Sequence, residues 1–325
     1  MKLVVILLSL LTTAAMANQH KHDHHNWLDD KAAFESTKML DMESFNISRN
    51  IVTPIVIDQD FLKAKLSEYS GAKKVLIDGV ETLISERKTP QGRTLGRKFL
   101  KDEYEKLGFK VSTQLYSPSQ KGSNFIAEKI GDDPSKVLII SSHIDTVRTA
   151  GANDDGTGTI SALAVAKVLA SYKSKYTLRV VGFDQEEIGL VGAGKYVKTL
   201  DKNSLIGDIQ LEMMGTNSRA DGVFHVIDCD KDHSKFMTEA IAQSIVDQGI
   251  DLKINRACTQ ASDHAKFWRA GLPAVVLSEN FFGGDSDPCY HKKCDVVDDR
   301  IDFKYMQKIT QAVAGAVKKL IQAYK

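Results

Sequence analysis

The chain has 325 residues, 43 Lys and Arg against 42 Asp and Glu, a formal charge of +1, and four cysteines. So even a charge balance excludes a nucleic-acid binder built on a basic stripe and a solvating acidic tail. About 300 residues, the length left once an export signal is removed, suffice for one large domain with a sizeable core or for two small ones.

The opening MKLVVILLSLLTTAAMANQH places Lys2 before an apolar stretch from Leu3 to Leu11 and small residues at Ala15 and Ala17, the pattern of an export signal over residues 1–17. That stretch is too short to span a bilayer, which takes roughly 20 apolar residues. The expected destination is therefore secreted or periplasmic, with no stable membrane anchor after signal cleavage. In such a compartment four cysteines fit two disulfides, Cys229 with Cys258 and Cys289 with Cys294 being preferred among three connectivities.

Residues 18–70 are weakly periodic and read as an amino-terminal segment, a candidate propeptide. Their His20, His22, His24 and His25 read as a flexible polar tail rather than a chelating cluster, and Asn46-Ile47-Ser48 is a glycosylation sequon. From Gly71 the pattern is regular, and residues 71–325 are expected to form the catalytic domain. GRTLGRKFLKDEYEKL (92–107) aligns Leu95, Phe99, Leu100, Tyr104 and Leu107 on one helical face, with Gly108 as the stop. KVLIISS (136–142) is a buried strand, TISALAVAKVLASY (159–172) a helix and TLRVVGFD (177–184) the next strand. DIQLEMM (208–214) and GVFHVID (222–228) read as strands, HSKFMTEAIAQSIVDQG (233–249) as a helix and PAVVLSE (273–279) as a strand. A final helix from Phe303 to Tyr324 turns Met306, Ile309, Val313, Val317 and Ile321 to the core. This alternation predicts one α/β domain, a mostly parallel central sheet flanked by helices on both faces.

Ligands of such sheets sit beyond the carboxyl ends of the strands, and that is where the polar residues fall. His143 and Asp145 leave one strand two residues apart, pointing the same way. Asp154 and Asp155 follow in a loop with Gly151, Gly156 and Gly158. Asp184, Gln185, Glu186 and Glu187 end another strand, Glu212 stands among apolar neighbours, and CYHKKCD presents Tyr290 and His291 beside Asp295. Each block alone has a bland reading as a surface pair or a solvated edge. Together they supply histidine nitrogens and carboxylate oxygens suited to zinc or a similar divalent ion. His143, Asp154, Glu187, Glu212 and His291 serve two ions if Asp154 bridges, which leaves Glu186 as a proton acceptor beside a ligand.

SSHIDTV, GANDDGTG, DQEEIGLVGA, LEMMG, SDHAKFW and CYHKKCD, in this order and spacing, resemble the blocks of the co-catalytic di-zinc exopeptidases of metallopeptidase family twenty-eight, which include secreted bacterial leucyl aminopeptidases. The resemblance runs from Gly71 to the carboxyl terminus. It implies a zinc-exopeptidase fold of the phosphorylase/hydrolase-like kind and two Zn2+ ions, one held by His143 and Glu212, the other by Glu187 and His291, with Asp154 between them. It further implies Glu186 as general base, Asp145 as the carboxylate orienting the histidine, Tyr290 as a hydroxyl for the oxyanion, and a cis peptide between Asp154 and Asp155. Glu212 departs from the aspartate of well-known members. Ser262, Asp263 and His264 either support the ligands or cap a helix. The reaction implied is hydrolysis of the amino-terminal bond of peptides with a free amino terminus, by a monomer, with Glu186, Glu212 and backbone carbonyls as partners for the α-amine. The rivals are a carboxypeptidase, for which Lys292, Lys293 and Arg256 offer cations, a glutaminyl-cyclase-like enzyme on the same scaffold, and a catalytically silent binder.

Overall fold

The computed structural model describes residues 37–42, 50, 52–117, 119 and 122–322. The expected signal, the histidine cluster and the sequon lie outside the described residues. The chain order is β1 (Thr37–Met39), α1 (Gln59–Tyr69), β2 (Val75–Ile77), β3 (Val80–Thr82), α2 (Pro90–Lys106), β4 (Lys110–Ser117), β5 (Gly122–Lys129), β6 (Asp133–His143), α3 (Gly158–Leu169), β7 (Tyr176–Phe183), α4 (Val191–Thr199), β8 (Leu205–Glu212), β9 (Val223–Ile227), α5 (Lys235–Gln248), β10 (Lys253–Ala257), α6 (His264–Arg269), β11 (Ala274–Glu279) and α7 (Phe303–Gln322).

A nine-stranded sheet runs β1-β10-β9-β11-β8-β6-β7-β5-β4, and β2 and β3 form a separate hairpin. Its centre, β11-β8-β6-β7, is parallel throughout, so four carboxyl ends share one edge. The antiparallel pairings of β11 with β9, β5 with β7 and β4 with β5 lie to either side. The centre is parallel because each of its strands has apolar residues for both faces. Leu138 and Ile140 of β6 enter one core and Val137 and Ile139 the other; Leu178 and Val180 of β7 oppose Val181 and Phe183 in the same way. Strand side chains alternate, so one apolar run feeds two helix layers.

On the larger face α1, α2, α3, α5 and α7 pack, and on the other α4 and α6. α2 starts where the Thr89 hydroxyl accepts the Gly92 amide at 3.1 Å with Pro90 in the first turn, a favoured arrangement. Its Phe99, Leu100 and Tyr104 are buried. α7 brings Met306, Ile309, Val313, Val317 and Ile321 into the same core. α1, which precedes Gly71, also contributes Leu62, Leu66 and Tyr69 to it. The disulfides are Cys229–Cys258 and Cys289–Cys294, the preferred pairing.

Candidate metal centre

His143 is the last residue of β6, and Glu212 the last of β8. Glu186 and Glu187 lie in the turn after β7, while Asp154 belongs to the loop between β6 and α3. His291 comes from the loop between β11 and α7, inside the small disulfide ring. Because β7, β6 and β8 are adjacent and parallel, their ends bring these side chains to one place.

His143 Nε2 lies 3.0 Å from Asp154 Oδ1 and 3.3 Å from Glu212 Oε1. On the other side His291 Nε2 lies 3.2 Å from Asp154 Oδ2 and 3.1 Å from Glu187 Oε2. The ligand atoms fall into two triads, His143-Asp154-Glu212 and Asp154-Glu187-His291, each within 4.8 Å. Asp154 is common to both and turns one oxygen to each.

The donors suit a divalent cation. The Nδ1 of His143 donates to the Asp145 carbonyl at 3.1 Å, which leaves the Nε2 lone pair facing two carboxylates. Such an arrangement is satisfied by a proton or a metal ion and by little else. Burial opposes charging the His291 ring, yet its hydrogen bonds to Asp154 and Glu187 lift its pKa to about 10. Burial, and then Asp154, push Glu187 up to about 7. A cation between these groups would relieve both tendencies.

The supports are as specific as the ligands. The Asp145 carboxylate takes the amides of Glu186 and Glu187 at 2.9 and 3.3 Å, and its Oδ1 is 3.7 Å from His143 Nδ1. It therefore fixes the turn after β7 and touches the histidine at once. Val147 donates its amide to Glu187 Oε1 at 3.1 Å. Glu212 Oε2 accepts from Gln210 Nε2 at 3.1 Å and from the Ser262 hydroxyl at 2.9 Å. Neither Ser262 nor Asp263 caps α6 through its side chain; Ser262 supports a ligand instead. Asp295 accepts the amides of Asn153 and Asp154 at 2.7 and 3.3 Å. The Asp154–Asp155 peptide is cis.

Glycine is required at Gly151, where φ is 61° and a Cβ would collide with Thr146 and Arg87. Gly158 has helical angles, but a Cβ there would meet the Asp155 carboxylate. Non-glycine residues with positive φ also gather at the turns, with Gln185 at 62°, Met213 at 46° and His291 at 57°, a strain typical of constrained sites.

Two groups face the triads without a partner. Glu186 Oε1 and the Tyr290 hydroxyl are buried and make no hydrogen bond among the described residues. Tyr290 stacks on His291 with ring centroids 3.9 Å apart. Burial raises both pKa values, with Asp263 adding to the effect on Glu186 and Asp154 to that on Tyr290.

Several site residues escape the sequence. Asp184 stands apart from Glu186 and Glu187 and pairs with Arg93 at 2.7 Å and Arg97 at 3.1 Å. Arg87 is wholly buried and has no ion pair among the described residues. It donates to the carbonyls of Ile144 at 3.0 Å, Tyr69 at 3.2 Å, Ala150 at 2.9 Å and Gly151 at 2.8 Å, bracing the stretch between His143 and Asp154. In SERKTPQGR it reads as one more solvated cation. Of the cations available to a substrate carboxylate, Arg256 is tied to Asp228 and Asp230 and Lys292 to the Pro288 carbonyl.

A family model described as "Peptidase family M28" matches residues 124–317. The chain is 30% identical to "Aminopeptidase YwaD" of Bacillus subtilis (strain 168), over 79% of this chain and 60% of that protein. It is 28% identical to "Leupeptin-inactivating enzyme 1" of Streptomyces exfoliatus, over 67% of this chain and 53% of that protein. The chain thus spans little more than half the length of these relatives. The solved structure of BSAP, a zinc aminopeptidase from Bacillus subtilis, is similar with a TM-score of 0.71, covering 84% of this chain and 97% of that one at 17% identity, a likeness of fold.

Proposed function

The chain belongs to peptidase family M28, and from that premise we propose that it is a zinc-dependent aminopeptidase cleaving the amino-terminal bond of peptides by attack of an activated water. The observation that carries the reading is the shared carboxylate: two triads of nitrogen and oxygen donors meet at Asp154. That sharing favours two ions over one, since neighbouring ions in such enzymes are joined by a bridging group and lie roughly 3.5–4 Å apart.

His143 and Glu212 would hold one ion, Glu187 and His291 the other, with Asp154 between. Zinc, when bound, lowers the pKa of water and polarises a carbonyl. Glu186, buried and with no partner for Oε1, takes the proton of the attacking water and passes it to the leaving amine. The Tyr290 hydroxyl, also without a partner, donates to the oxyanion as it forms. Asp145 keeps the glutamate turn and the His143 ring in register. The excess of buried carboxylate over cationic side chains, with Glu186 and Glu212 nearest, suits a substrate's free α-ammonium. The ties on Arg256 and Lys292 count against a carboxypeptidase.

Two disulfides suit an oxidising compartment, and no described helix is long and apolar enough to cross a membrane; we place the protein as secreted or periplasmic and as a monomer. Because β1 pairs with β10 and α1 supplies core residues, the proposed catalytic domain takes in both, and any removable amino-terminal segment would end before Thr37.

Metal content measured beside activity on aminoacyl nitroanilides and amino-terminally blocked peptides tests the reading. The expected result is two zinc ions per chain, activity lost to a chelator and restored by zinc, and no cleavage of blocked peptides. Equal cleavage of blocked and free peptides would overturn the aminopeptidase assignment.

A further inference from the structure

The groove between α4 and α6, on the smaller helix layer, is unrelated to the metal ligands in chemistry. It is an open depression of about 390 Å³ lined by Lys195, Lys198, Lys266 and Arg269 together with Leu190 and Gly194. The four cations form two pairs with the same spacing, Lys195 with Lys198 on α4 and Lys266 with Arg269 on α6. Residues three apart on a helix are neighbours, and like charges there are mutually destabilising. Where an acid lies within reach, surface lysines of this chain pair with it, as in Lys101 with Glu105 and Lys106 with Glu103. None of the four groove cations has an ion-pair partner among the described residues.

The stem of Lys266 lies over Gly194, where a Cβ would be 3.6 Å from Cε and 3.7 Å from Cδ. Its stem thus runs along α4 on the wall of the groove. Burial, then Arg269, and also Lys198 hold the Lys266 ammonium below its ordinary value, against a single opposing carboxylate, Asp263. Three amides at the start of α4 are already spent. The Val191 amide is spent on Gln185 at 3.0 Å, Gly192 on Asp184 at 2.9 Å and Gly194 on Leu190 at 3.1 Å. An occupant of the groove meets the four cationic side chains that line it. Three ammonium groups and one planar guanidinium, lining one groove without ion-pair partners among the described residues, match a compact oxyanion carrying more than one negative charge.

We propose that the α4–α6 groove is a binding site for a phosphate-class oxyanion, either free or as a phosphomonoester, distinct from the metal centre. The groove is walled by Leu190, at the end of the turn that carries Glu186 and Glu187, so an occupant also braces that turn from behind.

Calorimetric titration of the full, zinc-loaded chain with inorganic phosphate and with glycerol 3-phosphate, at ionic strength fixed by chloride, tests this. We expect one site whose affinity falls at least about tenfold in Lys198→Gln/Arg269→Gln and likewise in Lys195→Gln/Lys266→Gln. Several-fold weakening is expected on going from about 50 to about 200 mM salt, as for exposed charges. Tighter binding of one probe identifies the free ion or the ester as the better ligand. Undiminished affinity in both double variants would place the anion at the metals and overturn the proposal, as would the absence of binding to the parent chain at low salt. Both double variants should keep the parent's thermal midpoint or exceed it in phosphate-free buffer, since they relieve like-charge repulsion; a fall would show that the cations are structural.

Discussion

Glu186 and Asp263 have buried oxygens without a hydrogen-bond partner among the described residues, whereas Asp145, Asp155 and Asp295 spend their oxygens on backbone amides; of the two, Glu186 adjoins the ligand Glu187 in the chain. Free oxygens suit proton transfer; committed ones suit positioning. Glu186→Gln keeps the size and loses the base, so turnover should drop by about 10²–10⁴ while metal content is unchanged. Near-normal hydrolysis with full metal content would remove Glu186 from the mechanism. Arg87 is a positioning residue by the same standard, since it holds the carbonyls of Ile144, Ala150 and Gly151. Arg87→Met leaves those buried acceptors unpaired at roughly 1–3 kcal/mol each. Denaturant unfolding should show a loss of several kcal/mol, and metal titration a weaker site, since the braced stretch leads to Asp154. Arg87→Lys keeps the charge but not the fork, so it should recover only part of both.

Among the elements, β8 carries an acid in mid-strand that has no part in the centre. Asp208 is wholly buried, accepts only from the Ser141 hydroxyl at 2.9 Å, and is pushed by burial from an ordinary 3.8 up to about 8. Folding thus favours the neutral acid. Its contribution to stability is full below about pH 4 and is lost as pH rises towards about 8, where the buried group ionises. Asp208→Asn has no such proton to lose, so its unfolding free energy relative to the parent should rise by on the order of a few kcal/mol between pH 5 and pH 8. A pH-independent difference between the two proteins would refute the neutral-acid assignment. The ring closed by Cys289 and Cys294 makes a different kind of contribution. With five residues of separation, closure is worth at most roughly 2 kcal/mol of global stability. Cys289→Ser/Cys294→Ser should therefore unfold only slightly earlier yet bind its ions about tenfold more weakly, because His291 loses its frame. Equal metal affinity in the two forms would deny the ring that role.

At the scale of the molecule, the ions proposed between these five side chains should tie the folded state together, and a chelator should lower the thermal midpoint. The core sets the limits of the domain. A chain beginning at residue 37 should fold, while one beginning at 71 lacks β1 and Leu62, Leu66 and Tyr69 and should lose cooperative unfolding in circular dichroism. The sequence alone determined the elements with strong periodicity, including β6, α3, β7, β8, α5, β11 and α7, because burial on one or both faces writes itself into the spacing of apolar residues. It also determined where polar residues break those runs, so the strand-end blocks with His143, Glu187 and Glu212 were legible. β4 was not, since its side chains are largely exposed at a sheet edge; nor was α1, whose hydrophobic stripe is short. Only the tertiary structure decided that Asp184 turns to Arg93 and Arg97, that Ser262 reaches Glu212, that Arg87 lies beneath the ligand loop, and that antiparallel strands flank the parallel centre. These depend on which distant segments become neighbours, and pairing across the sheet is chosen by the packing of the whole chain and leaves no local period.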